Sequence, residues 1–117
     1  MTLEGRLEAT VSSGAPGPDT VAFAFVVANT GSEPVELRFS DACKAEFVVE
    51  DEGREVWRFT DGRMFAQMIS SERIAPGEEA TYEAEWENPQ PGEYTAAAEL
   101  RAQEGVCEAR TDVSVPS

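Results

Sequence analysis

With 117 residues, 41% of them hydrophobic and including six Phe, two Trp and two Tyr, the chain has enough apolar material for one core and no room for a second domain, so residues 1–117 are expected to form a single domain. Twenty-three acidic residues against nine basic ones leave a net charge of −14, and Lys44 is the only lysine. A polyanionic surface repels nucleic acid and anionic lipid, whose binding rests on clustered Lys and Arg; it suits concentrated salt, where a Debye length of about 3 Å at 1 M screens self-repulsion, and so points to a halophilic source, the alternative being an ordinary acidic cytosolic protein.

Period-two alternation runs the length of the chain, and no long window carries a 3.6-residue stripe. Residues 3–12 place Leu3, Gly5, Leu7, Ala9 and Val11 on one face and Glu4, Arg6, Glu8 and Thr10 on the other. The stretch Ser13 to Asp19 breaks that strand, and the nearly all-apolar Thr20 to Ala28 reads as a central one. Asn29-Thr30-Gly31-Ser32-Glu33-Pro34 is a turn, after which Val35, Leu37 and Phe39 resume the alternation, with Glu36 and Arg38 outward. Residues 45–51 and 54–59 form a hairpin across Asp51-Glu52-Gly53. Farther on, Ala80, Tyr82, Ala84 and Trp86 alternate with Thr81, Glu83, Glu85 and Glu87, the clearest core-and-solvent pattern in the chain. Tyr94, Ala96, Ala98 and Leu100 make the next strand, and a turn at Gln103-Glu104-Gly105 leads into the last, with Cys107, Ala109, Thr111, Val113 and Val115 inward. Seven or eight short strands joined by Gly, Pro and Asn turns specify an all-β, immunoglobulin-like antiparallel sandwich.

Chemistry-bearing patterns are sparse. The chain has no histidine, which removes the usual general base, nucleophile activator and metal ligand together. Glu83, Glu85 and Glu87 line one face of a strand, but acids alternating with core aromatics are a solvated face, not a glycosidase pair. Neither Glu50-Asp51-Glu52 nor Asp61-Gly62 has the ligand spacing of a calcium loop. The glycines stand singly at turns and make no phosphate cradle. Cys43 and Cys107 are too few for a zinc site. Buried free thiols are their default, the alternative being a bridge if the fold brings their Cα atoms within about 7 Å. No catalytic residue, metal or cofactor is therefore expected. The amino-terminal MTLEGRLEATVSSG holds no continuous apolar stretch, so neither a signal peptide nor a membrane span is expected, and the expected compartment is the cytoplasm.

The irregular segment is Thr60 to Ser71. Arg63, Met64, Phe65, Gln67 and Met68 place large, adaptable side chains in what should be a connection, and Met-, Arg- and aromatic-rich surfaces are typical of protein-binding sites. The competing reading tucks Phe65, Met68 and Ile69 into the core as an edge strand.

Several pieces together resemble a known family. They are Gly53-Arg54-Glu55-Val56-Trp57-Arg58-Phe59, Asp61-Gly62-Arg63-Met64-Phe65-Ala66-Gln67-Met68, Ile74-Ala75-Pro76-Gly77-Glu78, Tyr82, Trp86 and Gly92-Glu93-Tyr94-Thr95-Ala96. In order, they are similar to the intracellular proteinase inhibitors of the BsuPI type, with G-x-x-V-W-x-[WF]-S, then F-x-Q, L-x-P-G-E and a closing G-x-Y. The likeness spans roughly residues 20–102. Thr60 stands where that family usually has serine, and Glu46 precedes Phe47 where aspartate is common. The resemblance implies an immunoglobulin-like sandwich that restrains an intracellular serine protease, subtilisin-type by expectation. If the chain inhibits, the irregular segment is the expected contact surface, through Gly62, Arg63, Met64, Phe65, Gln67 and Met68, with Arg63, Met64 or Phe65 filling the protease's specificity pocket. Because Trp57, Phe59, Phe65, Tyr82, Trp86 and Tyr94 are groups any core would demand, the motif also fits an accessory interaction domain that kept the fold without inhibiting.

Overall fold

A computed structural model describes residues 3–12, 19–103 and 107–116. Among these residues nine strands run antiparallel: β1 (Leu3–Ser12), β2 (Thr20–Asn29), β3 (Val35–Phe39), β4 (Ala45–Asp51), β5 (Arg54–Arg58), β6 (Ser70–Ile74), β7 (Glu79–Glu87), β8 (Gly92–Leu100) and β9 (Glu108–Val115). They form a three-stranded sheet in the order β1-β2-β7, a two-stranded pair β3-β6, and a four-stranded sheet β5-β4-β8-β9. The arrangement is sandwich-like and consistent with the immunoglobulin-like expectation. Nine is one more than the upper end of the expected seven or eight. The addition is β6, whose five residues bury only Ile74 fully and whose partner β3 lies some 35 residues earlier in the register Val35 with Ile74 and Phe39 with Ser70. The turns expected at 13–18 and around Glu104 and Gly105 fall outside the described residues.

The alternation read from the sequence sorts side chains as expected. In β2, Val21, Phe23, Phe25 and Val27 are buried, and in β7 Ala84 and Trp86 are buried while Glu83, Glu85 and Glu87 face water. Rings from the two larger sheets meet between the layers. Phe23 stacks on Phe47 (centroids 6.1 Å apart) and on Trp57 (5.9 Å), Phe25 meets Phe47 edge-on (6.5 Å), and Trp57 stacks on Trp86 (6.2 Å). Each such pair adds about 0.5–1.5 kcal/mol beyond its area burial.

Two local features explain residues the pattern alone does not. A Cβ at Gly5 would lie 2.9 Å from the Glu108 carbonyl oxygen and 3.1 Å from the Cys107 sulfur, so β1 comes close to the start of β9 only because the side chain is missing. The β4–β5 hairpin turns through Glu52 and Gly53, both at positive φ (50° and 83°), the combination required by the two-residue turn whose twist matches paired strands.

Asn29, the sole buried polar side chain among the described residues, knots three segments. Its amide donates to the carbonyls of Glu33 (2.8 Å) and Ile74 (2.9 Å), and its side-chain oxygen accepts from the Gly31 N–H (2.9 Å). Its own backbone N–H donates to Glu78 and its carbonyl accepts from Gly77, both at 3.0 Å. The Ala75-Pro76-Gly77-Glu78 turn is thereby tied to the 29–34 turn. Cys43 and Cys107 are free and buried.

Candidate functional site

The connection from β5 to β6 is held at its entrance, floor and exit. At the entrance, Phe59 continues the β4–β5 pairing by donating its N–H to the Phe47 carbonyl (2.9 Å). The next residue is captured by Glu46, whose carboxylate accepts from the Thr60 hydroxyl (2.5 Å), the Thr60 N–H (3.3 Å), the Phe47 N–H (3.0 Å) and Arg58 (3.3 Å). Arg58 is held in turn by two bonds to Glu55, at 3.0 and 2.8 Å. Glu46 and Thr60, the two departures from the usual motif, are therefore each other's partners: an acid and a hydroxyl that fix where the loop begins. Sequence reasoning marked both positions and missed their pairing, because nothing in a spacing of 14 residues announces a hydrogen bond across a hairpin.

The chain then tightens. Asp61 donates to the Arg58 carbonyl (3.1 Å) and Arg63 to the Thr60 carbonyl (3.2 Å), with Gly62 at φ 75° supplying the left-handed residue. Beyond that turn, Arg63 to Ile69 adopt neither helix nor strand and none has positive φ. At mid-loop the Ala66 carbonyl accepts from the Ala42 N–H (2.9 Å), which moors the segment to the chain between β3 and β4.

Phe59 is the floor. Its ring packs edge-on against Phe47 (5.7 Å) and tilted against Trp57 (6.3 Å), both part of or packed on the core, while its outer side carries Phe65 (5.9 Å) and the Arg63 guanidinium (4.6 Å above the ring). A hollow of about 280 Å³ lies alongside, lined by Ala42, Cys43, Phe47, Phe59, Phe65 and Tyr82 among others. Of the six residues expected to form the contact surface, Phe65 is half-buried against the body of the domain, and Arg63 is exposed with its guanidinium over the Phe59 ring. Gly62, Met64, Gln67 and Met68 are exposed. The edge-strand alternative fails for two of its three residues: Met68 is 59% exposed and Ile69 83%, and only Phe65 is half-buried. With Met64 at 99%, three of the four large apolar side chains exposed among the described residues lie in this loop, the fourth being Val56.

A second brace stands behind the hollow. Glu72 of β6 accepts from the Lys44 ammonium (2.5 Å) and the Tyr82 hydroxyl (2.7 Å), and Lys44 also sits 5.6 Å over the Phe39 ring. Burial works against the Glu72 carboxylate, but these two donors outweigh it and hold its pKa below the ordinary value. The Tyr82 hydroxyl is pushed up by burial and by that same carboxylate.

Burial raises both thiols, Cys43 against the opposing influence of Arg101, so neither is a thiolate nucleophile at neutral pH. Among the described residues no group of three or more His, Cys, Asp or Glu side chains is gathered to hold a metal ion. No helix there is long and apolar enough to cross a membrane. A broader depression of about 570 Å³ on the outer face of the β5-β4-β8-β9 sheet is lined by Glu46, Glu50, Glu99 and Glu108, with Arg58 and Arg110 beside them.

The sandwich thus braces one loop and exposes that loop's apolar side chains. The model of the BsuPI family, described as intracellular proteinase inhibitor, matches residues 6–105, and the chain belongs to that family. No curated protein matches the chain. The other motif residues hold the fold: the Tyr94 hydroxyl donates to the Gln90 carbonyl (2.6 Å) while its ring meets Trp86 (5.0 Å), and the proline-glycine-glutamate turn is the one knotted by Asn29.

Proposed function

We propose that this protein inhibits a cytoplasmic serine protease of the subtilisin type by presenting the loop from Gly62 to Met68 to the enzyme's cleft. The observation that carries the reading is the loop's construction. It is fixed at its start by Glu46, at its middle by Ala42 and underneath by Phe59, yet displays Met64 and Met68 to solvent. A loop ordered before it binds loses little conformational freedom on entering a cleft, which separates an inhibitor from a flexible substrate. The test is titration of an intracellular subtilisin-type protease with the protein in molar KCl, where the acidic surface is screened. Stoichiometric loss of activity is expected, and replacement of Arg63, Met64 and Phe65 together by alanine abolishes it. Inhibition unchanged by the triple replacement moves the contact surface elsewhere.

A further inference from the structure

We propose that Met64 is the side chain that enters the protease's primary specificity pocket, and hence that the target enzyme carries a deep apolar pocket with no buried charge at its base. This rests on the reading of the Gly62–Met68 loop as the contact surface. Arg63, Met64 and Phe65 are equivalent candidates by composition, and the structure separates them.

Arg63 is committed to the Phe59 ring at 4.6 Å, and Phe65 packs on the same ring at 5.9 Å. Using either as the anchor would pull it off the floor of the loop and uncover Phe59, which itself touches Phe47 and Trp57. Met64 stands between them, 99% exposed. Its two neighbours both rest on one ring, and Met64 itself reaches into solvent, away from the body of the domain. The two flanking residues thus act as clamps, and the middle one is free to bury entirely in a partner without disturbing anything in the inhibitor.

The chemistry of that side chain defines the pocket. Methionine is long, unbranched and uncharged, and moving it fully out of water is worth roughly 10- to 100-fold in affinity. A pocket with a carboxylate at its base, built for Arg or Lys, would lose its ion partner on taking up a thioether and so disfavours this loop. An apolar slot gains the whole burial.

The experiment measures inhibition constants of the intact protein against a subtilisin-type enzyme with an apolar pocket and a trypsin-type enzyme with an acidic one. The variants are Met64→Ala, Met64→Leu, Met64→Lys and a replacement of residues 61–68 by Gly and Ser, with melting curves taken alongside. The expected result is inhibition of the apolar-pocket enzyme, weakened about 30-fold or more by Met64→Ala. Met64→Leu stays within about 10-fold, as volume-conserving apolar exchanges do. Met64→Lys moves the preference toward the trypsin-type enzyme. Melting temperatures of the three single variants match the parent, because the side chain touches nothing in the free protein. If Met64→Ala stays within about 3-fold while the Gly/Ser loop abolishes inhibition, the loop is the contact surface and Met64 is not its anchor. If the Gly/Ser loop inhibits as well as the parent, or the parent inhibits neither enzyme, the contact-surface reading falls and this assignment with it.

Discussion

Replacing Asn29 by alanine tests whether one buried amide organises one end of the sandwich. The side chain makes three hydrogen bonds to backbone, at 2.8, 2.9 and 2.9 Å, and is only 1% exposed. At about 0.5–1.5 kcal/mol net for each bond, with the buried Ile74 carbonyl left unpaired at the upper end, the loss comes to about 2–4 kcal/mol. Set against a total of roughly 5–15 kcal/mol for a domain of this size, that lowers the melting temperature by about 10–20 °C. The assay is urea unfolding at fixed salt, followed by the fluorescence of Trp86 in the core and of Trp57, which is half-buried and stacks on it. The midpoint should fall while the slope against urea holds, since the same surface is exposed on unfolding. Asn29→Asp supplies the electrostatic control. It keeps the acceptor for Gly31 but turns an oxygen toward the Glu33 and Ile74 carbonyls, so its folded pKa rises above the usual value of about 3.9. The ionisation part of its penalty is absent below that pH, grows as pH rises from there to the folded value and is complete above it. A loss under about 1 kcal/mol for Asn29→Ala would refute the reasoning, showing that the backbone bonds to Gly77 and Glu78 hold the turns unaided.

Two further outcomes follow from charge. Glu72 has a depressed folded pKa, so the stability it contributes is present above the unfolded value of about 4.5 and lost as pH falls through the folded one; Glu72→Gln should flatten this part of the acid limb and lower stability at pH 7 by about 0.5–1 kcal/mol, with an unchanged acid limb as the contrary result. The net charge of −14 predicts a higher melting temperature in molar KCl than in dilute buffer, read by calorimetry, and a flat response would defeat the reading of the surface as adapted to salt.

The strands most legible in the sequence are those where burial falls on every second residue. The run from Ala80 to Glu87 declares its face because Tyr82 and Trp86 alternate with glutamates, and the structure gives the same sorting. The strand Ser70–Ile74 carries no such signal. Its one fully buried residue is Ile74, and its strand character comes from pairing with Val35–Phe39, a contact no local window contains. The loop was visible as a composition anomaly, but Met64 and Phe65 are indistinguishable by residue type. What divides them is a ring four or more residues upstream that accepts Arg63 and Phe65 and leaves Met64 outside. Glu46 and Thr60 were legible only as deviations from a motif, because the bond between them exists only once β4 and β5 pair.

Phe59 belongs to two systems at once: its inner contacts are core aromatics, and its outer face is the surface on which the loop rests. Any repacking of Phe47 or Trp57 therefore tilts the platform under Arg63 and Phe65 and re-aims the residue between them. If the loop is the contact surface, target preference can drift through substitutions that never touch it, and an engineer seeking a new target has a lever in the interior as well as at the tip.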